Sequence, residues 1–106
     1  METHIFRVSV RGRFAELSDD ARRRLNDQHD PTRLPGFTEA GDFIHDGRPD
    51  FFTYRIQLRQ RAETAAEAAE AVDAAARSLV LEDLAARGLG HRDLSVSVRA
   101  MADVWR

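Results

Sequence analysis

The chain has 106 residues and a formal net charge of −2, which fits one domain spanning 1–106 and excludes a strongly basic nucleic-acid binder. It contains no cysteine, so disulfides and thiolate chemistry are excluded. All sixteen basic residues are arginine, a bias that GC-rich coding explains without function, although arginine is also the side chain that grips carboxylate or phosphate bidentately. A chain this long buries roughly two-thirds of its unfolded surface, enough for an independent core. No stretch approaches an apolar membrane span, and the N-terminus lacks the basic start and apolar run of a signal peptide; a cytoplasmic location is expected.

In chain order, His4–Arg11 alternates strictly, with Phe6, Val8 and Val10 on one side and Ile5, Arg7, Ser9 and Arg11 on the other. That period predicts a half-buried strand ended by Gly12. Ser18 can cap a helix whose first turn carries Asp19 and Asp20, whose thin apolar face is Leu17, Ala21 and Leu25, and which runs to about Gln28. Asp30-Pro31 and Pro35-Gly36 bracket a loop. Phe37–Asp46 reads as an edge strand bulged at Gly41, and the cluster Asp46-Gly47-Arg48-Pro49-Asp50 as the turn of a hairpin. Phe51–Gln60 is the strongest strand, with Phe52, Tyr54, Ile56 and Leu58 facing the core and Phe51, Thr53, Arg55, Gln57 and Arg59 facing away.

Thr64–Gly88 is the longest element. Thr64 and Glu67 form a capping box, alanine fills nearly half of the segment, and Gly88 suits the left-handed residue that closes a helix. Its stripe is Ala65, Ala68, Ala69, Val72, Ala75, Ala76, Leu79 and Val80. Asp83 then falls on the core side. A helix of roughly 34 Å on eight-residue strands of about 27 Å overhangs the sheet. Leu81, Leu84 and Ala85 therefore need cover from the C-terminal segment or a second subunit, unless a bend near Leu81 returns them to the core. Asp93–Met101 alternates again, with Leu94, Val96, Val98 and Ala100 inward and Ser95, Ser97, Arg99 and Met101 outward; the tail carries Trp105. The order strand–helix–strand–strand–helix–strand predicts an α+β, ferredoxin-like βαββαβ fold, a four-stranded antiparallel sheet with two helices on one face. The first and third strands are its central pair.

VSVRGRF near the start, DFFTYRIQLR in the middle and GLGH with MADVWR at the end resemble a family of short actinobacterial proteins known only as a domain of unknown function. The likeness spans the whole chain and implies a compact α+β fold. It implies no catalytic residues.

The register predicted above puts Arg7, Arg11, Arg55, Arg59 and Arg99 on the open face of the sheet, opposite an acidic long helix. Such a face is either plainly solvated or a site for a partner protein or small anionic ligand. An RNA-binding sheet stacks bases on aromatic side chains at its central strands, and only Phe51, at a strand end, is aromatic there, so nucleic acid is disfavoured. The four histidines lack helical metal spacing. Asp42, His45, Asp46 and Asp50 gather at the hairpin turn, but turns favour Asp for conformational reasons, and no metal is expected. Arg11-Gly12-Arg13-Phe14 faintly resembles the first-loop start of acylphosphatases, but the glycine-rich continuation is absent and Asp19 and Asp20 would repel phosphate.

Three functions stay open. The first is a non-catalytic interaction module that self-associates. The second is a small cofactor-independent enzyme of the dimeric α+β barrel type, with His91 (oriented by Asp93) and Tyr54 as the candidate catalytic residues and Phe43 and Trp105 lining a pocket. The third is an anion or nucleic-acid binder using the arginine face. A homodimer is expected, with Leu81, Leu84 and Trp105 in the interface and the last strand as an unprotected edge. No cofactor or membrane contact is expected.

Overall fold

The computed structural model describes residues 2–45 and 50–101, and Trp105 and most of the hairpin turn lie outside them. The elements are β1 (Glu2–Ala15), α1 (Asp19–Gln28), β2 (Asp42–His45), β3 (Phe51–Ala62), α2 (Ala65–Arg87) and β4 (Gly90–Ala100). The fold is α+β, with one antiparallel four-stranded sheet in the order β2-β3-β1-β4. β1 and β3 form the central pair and β2 and β4 the edges, as the strand pattern predicts.

Local chemistry sets most boundaries. The Ser18 hydroxyl accepts the Ala21 N–H and starts α1; the Thr64 hydroxyl accepts the Glu67 N–H and starts α2. Gly88 closes α2 with φ 70° and ψ 32°, a conformation that costs glycine nothing. Inner-face pairs run along the central strands as Phe6 opposite Leu58, Val8 opposite Ile56, Val10 opposite Tyr54 and Gly12 opposite Phe52.

Gly12 does not end the first strand; β1 continues to Ala15. A Cβ at position 12 would lie 2.6 Å from Phe52 Cζ and 3.0 Å from Leu94 Cδ2, so the glycine is a space left for an aromatic ring. β3 likewise extends to Ala62. At about 3.3 Å per residue, strands of 14 and 12 residues are as long as the helix above them. The expected overhang is therefore corrected. Leu84 is fully buried in an unbroken α2, while Leu81 stays 43% exposed and Ala85 is exposed. The buried row of α2 is Ala68, Val72, Ala76, Val80 and Leu84, a strict i+4 ridge. Ala65 and Ala75, expected in the stripe, are exposed.

Two further expectations change. Leu58 is only partly buried, beyond residues 52–55 that β2 pairs, whereas Ile56 is 0% exposed. The second strand is only Asp42–His45; Gly41 (φ 90°) precedes it, and the segment before it touches β3 through a single bridge from Thr38 to Ile56. Helix cover is unequal. α2 packs on β1, β3 and β4, while the backbone of α1 approaches no other described element closely and contributes Ala21 and Leu25 to the core.

Candidate functional site

Away from α2, the alternating residues of β1, β3 and β4 bring Arg7, Arg11, Arg55, Arg59 and Arg99 onto one face, with Ser9, Thr53, Gln57, Ser95 and Ser97 between them. The register sets Arg7 directly opposite Arg99, Ser9 opposite Ser97 and Arg55, and Arg11 opposite Ser95 and Thr53. Arg7 and Arg55 are half-buried, and Arg11, Arg59 and Arg99 are exposed.

An aromatic side chain missing from the expected face lies against it. Phe37 takes the Arg7 guanidinium at 5.1 Å from its ring centroid and that of Arg55 at 5.7 Å. Contacts of this kind hold a cation in place without neutralising it. The Arg7 Nε also donates a long hydrogen bond, 3.5 Å, to Gln57 Oε1. Near β3's start, Arg13 lies 4.9 Å from the Phe51 ring. Phe37 follows Pro35-Gly36, and nothing local distinguishes a residue that folds over the sheet from one that begins a strand.

Among the described residues, none of Arg7, Arg11, Arg55, Arg59 or Arg99 forms an ion pair. Arg23, Arg33, Arg77 and Arg87 pair instead with Asp20, Asp42, Asp73 and Asp83. Arg7, Ser9, Phe37, Ser97 and Arg99 together line a pocket of about 300 Å³.

The other face holds a polar cluster of a different kind. The Tyr54 hydroxyl donates to Asp83 Oδ2 at 2.5 Å, and the Arg87 Nε donates to the same oxygen at 2.7 Å. The Arg87 guanidinium then lies 4.3 Å from the centre of the Phe43 ring. Burial, then the bond to Asp83, pushes the Tyr54 hydroxyl far above its ordinary pKa. Burial alone would raise the Asp83 carboxyl, but the Tyr54 and Arg87 hydrogen bonds and the Arg87 charge outweigh it and hold the carboxyl below its usual range. This arrangement ties α2 to β3 and β2. A tyrosine so engaged is a poor proton donor, and it stands apart from His91, which lies on β4 opposite Phe14 on the far side of β1. The two catalytic candidates are not brought together.

Two other expectations meet the structure here. Asp42 is engaged by Arg33 Nη1 at 2.5 Å and by the Gly36 N–H at 2.9 Å, and no group of three or more His, Asp or Glu is placed to hold a metal among the described residues. Leu84, expected in an interface, is core, whereas Leu81 is available and Trp105 falls outside the described residues. No helix among the described residues is long and apolar enough to cross a membrane.

Comparison with known proteins gives one match. The model of a family of unknown function, DUF6204, covers residues 1–105. No curated protein and no solved structure matches the chain.

Proposed function

The chain belongs to this family of unknown function, so a role has to come from its own surfaces, and we propose a non-catalytic cytoplasmic binding module whose open sheet face takes an anionic partner. The observation that carries the reading is the set of five arginines on one face, none within ion-pair distance of a carboxylate among the described residues although Asp42 stands opposite Arg55, and two of them braced on Phe37. A protein's acidic segment or a small anion suits this face better than nucleic acid, because the net charge is −2. Heparin, used as a generic polyanion, is expected to raise the melting temperature, by less as salt is added. The double change Arg7→Gln with Arg55→Gln is expected to remove the rise. A parent protein indifferent to heparin at low salt returns the face to simple solvation.

Self-association at β4 is a second reading with its own support. Among the described residues β4 has no strand on its outer side, and its inward residues Leu94, Val96, Val98 and Ala100 stay partly exposed. An antiparallel two-fold pairing centred on Ser97 would set Arg99 opposite the partner's Ser95 and avoid a like-charge clash. Light scattering at micromolar concentration checks it: twice the 12.0 kDa chain mass is expected, and a monomer mass removes the proposal. We read the architecture as a variant of the ferredoxin-like pattern in which the first helix is short and α2 supplies most of the cover.

A further inference from the structure

We propose that Arg7 and Arg99, with Ser9 and Ser97 beside them, form a site for a doubly charged tetrahedral oxyanion, either inorganic phosphate or the phosphoryl group of a small phosphomonoester. The proposal rests on the reading of the open face as anion-binding and narrows it to one place.

The register is the first argument. Arg7 and Arg99 are direct partners on neighbouring antiparallel strands. Residues so placed have Cβ atoms about 4.5–5.5 Å apart, and like charges there repel. Among the described residues no carboxylate relieves that repulsion. The outward positions around the pair, Ile5, Ser9, Arg11, Arg55, Gln57, Arg59, Ser95 and Ser97, include no carboxylate, and neither arginine has an ion pair among the described residues. An anion between the two guanidinium groups would convert the repulsion into two charge-assisted contacts.

Donor geometry is the second argument. Ser9 and Ser97 are also direct partners, two positions along the same face, so two hydroxyls stand next to two guanidinium forks. A carboxylate is satisfied by one fork, while a phosphoryl group has three or more oxygens and can use both forks and the hydroxyls. Preorganisation is the third argument. Arg7 is braced by Gln57 and by Phe37, so its terminal nitrogens lose less freedom on binding. Phe37 also forms a wall of the pocket, against which the organic part of a monoester would lie.

The test titrates the full chain with inorganic phosphate and with phenyl phosphate, at an ionic strength fixed with chloride, by calorimetry and by melting. The parent is expected to bind one equivalent saturably and to melt higher in phosphate than in chloride. Tighter binding of phenyl phosphate identifies a monoester as the ligand, and equal binding identifies free phosphate. Arg99→Gln is expected to melt above the parent in chloride, because the repulsion is gone, and to bind phosphate at least about tenfold more weakly. Arg23→Gln, on α1 and away from the sheet face, is expected to bind like the parent. Unchanged phosphate binding in Arg99→Gln overturns the site. So does a parent that responds to heparin but not to phosphate, and in that case the wider reading of the face stands. Indifference to both overturns the two together.

Discussion

The Tyr54 hydroxyl links the sheet to the C-terminal half of α2 through Asp83. Its bond to Asp83 joins residues 29 apart in sequence, so only the need of a buried tyrosine for a partner hinted at it. Asp83, on the core side of the helix, and Arg87 four residues later resolve with it as one cluster. Tyr54→Phe keeps the ring's packing and removes the donor. It is expected to cost about 1–2 kcal/mol in urea unfolding. A change under about 0.5 kcal/mol would mean that Arg87 alone satisfies Asp83. Gly12→Ala tests the neighbouring feature. Its Cβ would fall 2.6 Å from Phe52 Cζ, so a loss of about 1–3 kcal/mol is expected from overpacking, and an unchanged midpoint would show that the ring moves freely. The caps at Ser18, Thr64 and Gly88 were legible because the residues that make them are adjacent in sequence. Phe37's place over Arg7 and Arg55 was not, because it depends on how an irregular loop crosses the sheet.

At the scale of elements, strand length decides how α2 is covered. Gly12 reads as a terminator because glycine usually weakens a strand; here β1 passes through it, since the position faces the Phe52 ring. An eight-residue strand leaves the helix end bare, while the 14 residues of β1 and the 12 of β3 do not. Two leucines on one helix separate these cases. Leu84→Ala is expected to cost about 2–5 kcal/mol, because Leu84 is 0% exposed. Leu81→Ala, at 43% exposure, is expected to stay within about 0.5 kcal/mol in the monomer. Equal losses in thermal or urea unfolding would mean that the helix end is rotated from the arrangement described. By the same reasoning Ile56→Ala costs more than Leu58→Ala. The alternation of β1, β3 and β4 was legible because a period of two survives an error in the ends, whereas the register shift between β1 and β4 at Arg11 to Arg13 was not.

At the scale of the molecule, charge is sorted by face. Exposed Glu67, Glu70 and Glu82 lie on α2, Asp73 and Asp83 are paired with arginines, and the five arginines of the sheet face are not. Acid stability follows from the paired carboxylates. Asp30 is held low by the Thr32 hydroxyl and then by the Thr32 N–H. In Asp42 and Asp83 burial raises the carboxyl, but hydrogen bonds outweigh it, from Gly36 and Arg33 in the first and from Tyr54 and Arg87 in the second. Folded-state values below the unfolded value of about 3.9 add stability that is fully present above that pH and is lost as pH falls through the folded values. Urea midpoints are therefore expected to be flat from neutral pH to about 5 and to drop below about 4. Asp83→Asn is expected to shallow the drop; a midpoint that rises on acidification would contradict the assignment.

Backbone-amide NMR during a heparin titration at low salt bears most directly on the binding role. Saturable shifts are expected at Arg7, Ser9, Arg55, Ser97 and Arg99 and at Phe37, with the exposed residues of α2 unmoved. Shifts confined to α2 or α1, or none on the sheet face, would contradict it.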